Sequence, residues 1–243
     1  MSEEKIIQHS KKAIEAATNK IHTWKEKLKE VALEIVIIIF AVSVTLMMHN
    51  WNDQRHERKM EKEFLIGIQE DLKKASNQLT LGIEKFKPTI AYYDIVWQQI
   101  VTKRMNLGYI DTNSHYLINK MYFQFDNGRF EGFKSSGNLN VIENNELLTK
   151  ILRLYTIEMP FQELADAEIF KGRRDDFNTY IGVKAPLDNS GNLTISKIID
   201  EPAVKYQIKY YGNFLHEREN QKKELVKKIK KVIDAIAEEL KDR

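Results

Sequence analysis

The run Val31–Trp51, VALEIVIIIFAVSVTLMMHNW, constrains this chain more than any other stretch. Its part Ile35–Met48 holds fourteen residues without a charge, and eighteen residues separate Val31 from Met48 inclusively, with Glu34 the one ionisable side chain among them. A bilayer core of about 30 Å needs close to that many residues at about 1.5 Å each. Trp51 follows the run within three residues, where an aromatic anchor at the membrane interface is expected. A buried helix of a soluble core would show a stripe, whereas Ile35–Phe40 is apolar all round. A secretory signal would have a shorter apolar region ending at small residues. Here a thirty-residue segment rich in charged helix-formers precedes the run, and it ends in Met-Met-His-Asn-Trp. The sequence therefore predicts one transmembrane helix over 31–51, with domains at 1–30 and 52–243 on either side.

Charged residues make up 30 % of the chain, with only 4 prolines and 10 glycines, which favours long helices over a sandwich or barrel. The net charge of +3 gives no footprint for nucleic acid. With no cysteine, a disulfide framework, thiolate catalysis and a Cys-based zinc site are all excluded. Four Lys or Arg lie within fifteen residues on each side of the span, so the short tail decides orientation. It carries seven lysines. The expectation is an inner (cytoplasmic) membrane protein with a cytoplasmic N-terminus and a large extracytoplasmic domain.

Residues 2–30 repeat every seven positions, with Ile7, Ile14, Ile21 and Leu28 at one seam position and Ser10, Ala17, Trp24 and Val31 three later. That pattern suits a self-associating coiled-coil-like helix. It equally suits an amphipathic helix on the inner leaflet, with Trp24 in the interface. Glu34 either reaches the headgroups or a lysine, or bonds a helix of an oligomer or partner. From Asn52 a stalk helix runs to about Phe86, with Leu65, Ile68, Leu72, Ala75, Leu79, Ile83 and Phe86 as its stripe. Its first turns, Arg55, Glu57, Arg58, Lys59, Glu61, Lys62 and Glu63, read as a solvated face beside lipid phosphates. Together Trp24, Glu34, Trp51, Arg55, Arg58 and Lys59 are the candidate membrane and partner contacts.

Pro88 predicts a turn or the first turn of a next helix ending near Arg104. Asn106–Asn113 reads as a loop, and Ser114–Phe125 as a short aromatic helix. A turn at Ser136-Gly137 and a cap at Asn144 or Asn145 start another helix, which Pro160 stops. Further helices follow at about Phe161–Tyr180 and Ala203–Lys241, with a loop over Lys184–Thr194. The fold expected is all-α: an amphipathic helix, one span continuing into a stalk, then an antiparallel helical bundle.

Two patches resemble a family of small single-span proteins, a domain of unknown function common in Bacteroidota. Glu34, the aliphatic run, His49-Asn-Trp-Asn-Asp53, Met60-Glu-Lys-Glu-Phe-Leu65 and Glu70-Asp-Leu72 resemble its "GEI…NNWNE…RK.EKEYL…L..DL". Phe133-Lys-Ser-Ser-Gly-Asn-Leu139, Ile142, Asn144 to Leu148, Ile151 and Tyr155 resemble its "LKSSG.L..I.N..L...I..YY". His49 stands where the family usually has Asn, and Ala32-Leu33 where Gly usually precedes Glu34, which removes a Gly-mediated helix approach. The resemblance implies an inner-membrane anchor with a helical domain and names no activity.

No chemistry is spelled out by the remaining motifs. The six histidines form no HExxH or other metal spacing, and no phosphate loop, GxSxG or dinucleotide fingerprint is present. His56-Glu-Arg and His216-Glu-Arg-Glu read as charged helix faces, and the other carboxylates as scattered on helix surfaces. Ser135-Ser136-Gly137 reads as a tight turn rather than an anion cradle. Lys222, Lys223, Lys227, Lys228, Lys230 and Lys231 read as a solvated face, or as a contact to headgroups if this helix packs antiparallel to 52–86. No cofactor, metal or catalytic residue is nominated. The function expected is a membrane-anchored scaffold or accessory subunit bound to the bilayer and to a protein partner or its own copies. The alternatives are a sensor that transmits binding through its span, and a homo-oligomeric channel with Glu34 facing inward.

Overall fold

The structure, a computed structural model, describes residues 3–119 and 123–241, and their side chains outside 3–10, 13–23, 25, 26 and 168–174. The chain is all-α. Among the described residues there is no β-strand, only one antiparallel bridge between Leu187 and Leu193. The helices are α1 (Glu3–Thr102), α2 (Leu107–Thr112), α3 (Gly128–Ser135), α4 (Asn145–Arg153), α5 (Met159–Lys184) and α6 (Pro202–Lys241). The chain divides into two compact units, Met1–Lys59 and Met60–Arg243.

The first unit is the N-terminal part of α1. From Lys27 onward this helix contains an 18-residue window of mean hydropathy 2.6, none of it buried by protein. One helix is thus long and apolar enough to cross a membrane. The hydroxyl of Thr45 donates to the Ala41 carbonyl at 2.9 Å, so the polar atom is satisfied inside the helix. The seam residues Ile7, Ser10, Ile14, Ala17 and Ile21 of the heptad reading lie outside the described side chains.

The second unit is a bundle with two apolar cores along its length. One core packs Phe64–Leu79 of α1 against Phe130, Leu147, Ile151, Leu154, Met159 and Leu225–Ile236 of α6. The other packs Phe86–Val96 of α1 against Ile110, Phe177, Ile181, Ile195–Ile199 and Val204–Leu215 of α6. The order reverses between α1 and α6, so these long helices run antiparallel. Each fully buried Leu or Ile among them contributes about 1.5–3 kcal/mol by leaving water.

Three boundaries differ from the sequence expectation. The helix runs through Pro88 to Thr102 without a turn. Both Pro88 and Glu84 are exposed, so the carbonyl that loses its N–H partner at position 84 opens to water, while Phe86, Thr89 and Ile90 stay buried. The expected loop 106–113 holds α2, and within the expected helix Ser114–Phe125 the described residues form a single 3₁₀ turn, Ser114–Leu117, with no helix at 118, 119 or 123–127. Asn106 caps α2: its side chain accepts from Tyr109 N–H at 3.0 Å. Phe123 and Phe125 of this non-helical stretch pack against the cores.

Pro160 does not stop a helix. Between α4 and α5 the chain makes a π-helical turn, Leu154–Glu158, in which Met159 N–H bonds the Leu154 carbonyl five residues back. The wider turn leaves room for the proline ring that an ordinary turn would press against the carbonyl four residues earlier. Two local expectations hold. Gly137 sits at φ +76°, in the left-handed region that suits glycine, and Asn144 caps α4 through bonds from Glu146 and Leu147 N–H at 3.1 and 3.0 Å.

Candidate functional site

The six residues singled out as membrane contacts all lie on α1 in the first unit and all are exposed, Trp24 at 70 % and Trp51 at 63 %. Trp24 and Trp51 are 27 positions apart in the sequence, about 40 Å along a helix, which matches a bilayer including its headgroup regions. Arg55 lies four residues on, its guanidinium 5.9 Å from the Trp51 ring, a cation–π contact that keeps both at one level. His49 and Asp53 pair across one turn at 2.6 Å. Trp24 and Glu34 are not brought near the others: about 15 Å of helix separates the two, and about 25 Å separates Glu34 from Trp51.

The second unit holds a charged layer that the sequence reading placed on the surface. Asp166 of α5 and Arg218 and Lys222 of α6 are all but fully buried. Lys222 Nζ reaches both Asp166 oxygens at 2.7 Å, and Arg218 Nη2 and Nε donate to Oδ1 at 2.8 and 3.2 Å. Arg218 also donates to the Gln162 carbonyl at 3.2 Å and to the Gln221 side chain, which in turn donates to Glu217 at 3.0 Å. Lys222 rests 5.2 Å above the Phe123 ring, and that ring covers Gly82, where a Cβ would collide with Phe123 Cζ. These residues fall between the two apolar cores: on α6 the changeover from one core to the other lies between Leu215 and Leu225, and on α5 between Met159 and Phe177.

Two cations share one carboxylate, so the layer carries an excess of positive charge. Burial pushes the Lys222 ammonium down from 10.5 to about 8, against the pull of Asp166. The readings of Lys222 as part of a solvated run and of His216-Glu-Arg218 as a charged face are thus corrected for Lys222 and Arg218; His216 itself is exposed and meets Asp94 at 2.9 Å. Glu61, expected in a solvated stretch, is buried and accepts from Glu143 N–H at 3.0 Å. The signal was present in the spacing. Tyr211, Leu215, Arg218, Lys222, Leu225 and Ile229 step by four and three, so the two cations sit in phase with the apolar stripe.

A cleft of about 330 Å³ opens beside the π-helical turn, between α4–α5 and α6. Leu154 and Val232 form its floor; Lys150, Arg153, Lys228 and Lys231 surround it with Glu158. Glu158 binds Arg153 Nε at 3.2 Å and Lys228 Nζ at 2.7 Å, and these contacts, the lysine's first, hold its carboxyl below the usual range. The five-residue separation of Arg153 and Glu158 matches the wide turn between them. Ile157 lies on that turn, and Phe161 and Leu164 follow it on α5; all three are more than half exposed. Among the described residues, no group of three or more His, Asp or Glu side chains is placed to hold a metal ion. No protein-family model, curated protein or solved structure matches the chain.

Proposed function

We propose that this protein is a membrane-anchored helical scaffold or accessory subunit, which binds another protein or its own copies through its bundle. In this reading Val31–Trp51 crosses the inner membrane, the lysine-bearing tail stays in the cytoplasm and the bundle lies outside it. The observation that carries the association reading is Ile157, Phe161 and Leu164, at 59, 56 and 60 % exposure, grouped at helical spacing along the π-helical turn and α5. In a chain with 30 % charged residues, an uncharged exposed face of this kind marks an interaction surface. The test is the mass and composition of the complex extracted in mild detergent from the native membrane. A stoichiometric second protein, or a fixed multiple of this chain, supports the proposal; a lone monomer overturns it.

A further inference from the structure

The basic cleft and the uncharged face of α5 share an edge. Ile157 adjoins Glu158, which lines the cleft; Phe161 follows Ile157 by four residues and Leu164 follows Phe161 by three, so along the helix each is the surface neighbour of the next. Thr156, Pro160 and Ala167 extend this face, all exposed and uncharged. From Ile157 to Ala167 it is about 15 Å long, two to three helical turns. Ile157, Phe161 and Leu164 together expose on the order of 350 Å², the size of a functional apolar patch. At one end, Lys150, Arg153, Lys228 and Lys231 surround Glu158 across the Leu154–Val232 floor; Lys150 also pairs outward with Glu146 at 2.7 Å, so four cations meet two carboxylates and a surplus of two positive charges remains.

We infer that this composite surface docks an acidic amphipathic segment of a second protein. The segment's apolar side would cover Ile157, Phe161 and Leu164, and its carboxylates would reach Lys150, Arg153, Lys228 and Lys231. The surplus of positive charge selects an acidic partner. The length and flatness of the apolar face suit a helix of a few turns rather than a compact ligand. The area is well below the roughly 800 Å² per partner of a stable free complex. Docking therefore relies on both proteins being held at one membrane, where confinement raises the effective concentration. The inference rests on the association reading above and names the partner's chemistry.

The test places the photoreactive residue p-benzoylphenylalanine at position 161 of the full chain in its native membrane, with position 81 on α1 as a control, since Leu81 is also 61 % exposed. The expected result is one cross-linked polypeptide, specific to position 161, joined through a segment that carries both apolar and acidic residues. Lys150→Glu with Lys231→Glu should lower the yield at least tenfold while moving the melting temperature by only a few degrees, the loss of the exposed Lys150–Glu146 pair, and lysines in place of the partner's acidic residues should restore it. Cross-linking to lipid, to a second copy of this chain or to a segment without carboxylates overturns the inference. So does a yield that charge reversal leaves unchanged. If the extracted complex contains a partner that position 161 never touches, the inference fails while the association reading stands. If the chain extracts as a lone monomer, both fail.

Discussion

Replacing Lys222 with methionine should stabilise the bundle, whereas removing its partner's charge should damage it. A shift in proton affinity from 10.5 to about 8 corresponds to roughly 3 kcal/mol, at about 1.4 kcal/mol per tenfold. That is the net disadvantage of holding the ammonium in place at neutral pH, after the attraction of Asp166 is included. Methionine fills a similar volume and leaves Asp166 paired one-to-one with Arg218. Allowing about 1 kcal/mol for the amine's lost hydrogen bonds, Lys222→Met should gain about 1–3 kcal/mol at pH 7. Asp166→Asn leaves two buried cations without a counter-charge and should lose about 3–5 kcal/mol.

The pH dependence gives a second readout. Below pH 8 the lysine is charged in both the folded and unfolded chain, and its burial penalty is present in full. Between pH 8 and 10.5 the unfolded chain holds more protons at this lysine, so the advantage of Lys222→Met shrinks with rising pH. Burial also raises Tyr92, Tyr93 and Tyr155 above their ordinary value, which lowers stability near pH 10 equally in wild type and variant, so the difference between the two is the readout. The assay is unfolding of the full chain in detergent followed by Trp97 fluorescence, in a Trp24→Phe/Trp51→Phe background that leaves this half-buried tryptophan as the only one. A Lys222→Met variant destabilised as much as Asp166→Asn, or an advantage of Lys222→Met that stays constant from pH 8 to 10.5, would refute the reasoning.

Other outcomes follow from particular contacts. Gly82→Ala should destabilise by about 1–3 kcal/mol, because its Cβ displaces the packed Phe123 ring. Gly67→Ala should cost under about 1 kcal/mol, since only the flexible end of Arg129 must swing off Asp71; urea midpoints distinguish the two. Asn144→Ala should cost about 1–2 kcal/mol, losing both the α4 cap and the bond to Glu239 at 2.6 Å. Asn144→Ser keeps a capping oxygen and should recover part of the loss in the same melts. Because the chain lacks cysteine, single Lys11→Cys and Ser190→Cys variants report orientation. An impermeant maleimide added outside the inner membrane should label position 190 and spare position 11, and the reverse pattern would invert the proposed topology.

What the sequence revealed depended on which forces act locally. The apolar run at 35–48 and the three-and-four spacing of Leu65–Phe86 and Leu225–Leu240 are intrinsic signals, and the all-α architecture follows from them. The turn at Gly137 and the cap at Asn144 were legible for the same reason. Pro88 and Pro160 misled because proline's effect depends on surroundings: one faces water and the other follows a π-helical turn, which no residue pattern announces. The charged layer escaped because Lys222 sits among exposed lysines in sequence, while its partner Asp166 is 56 residues away. The cleft is assembled from α4, the π-helical turn and α6, so its cations became neighbours only on folding.

The charged layer also acts as an alignment mark. The apolar positions of α6 repeat every seven residues, so Leu225 and Ile229 recur as Val232 and Ile236. Sliding the helix by seven would exchange one such set for another with little loss of apolar area. It would also carry Lys222 into the site of Leu215 and leave Asp166 without its ammonium, a misfit of several kcal/mol. Two long helices whose greasy faces are nearly self-similar thus have one admissible register, written in three side chains.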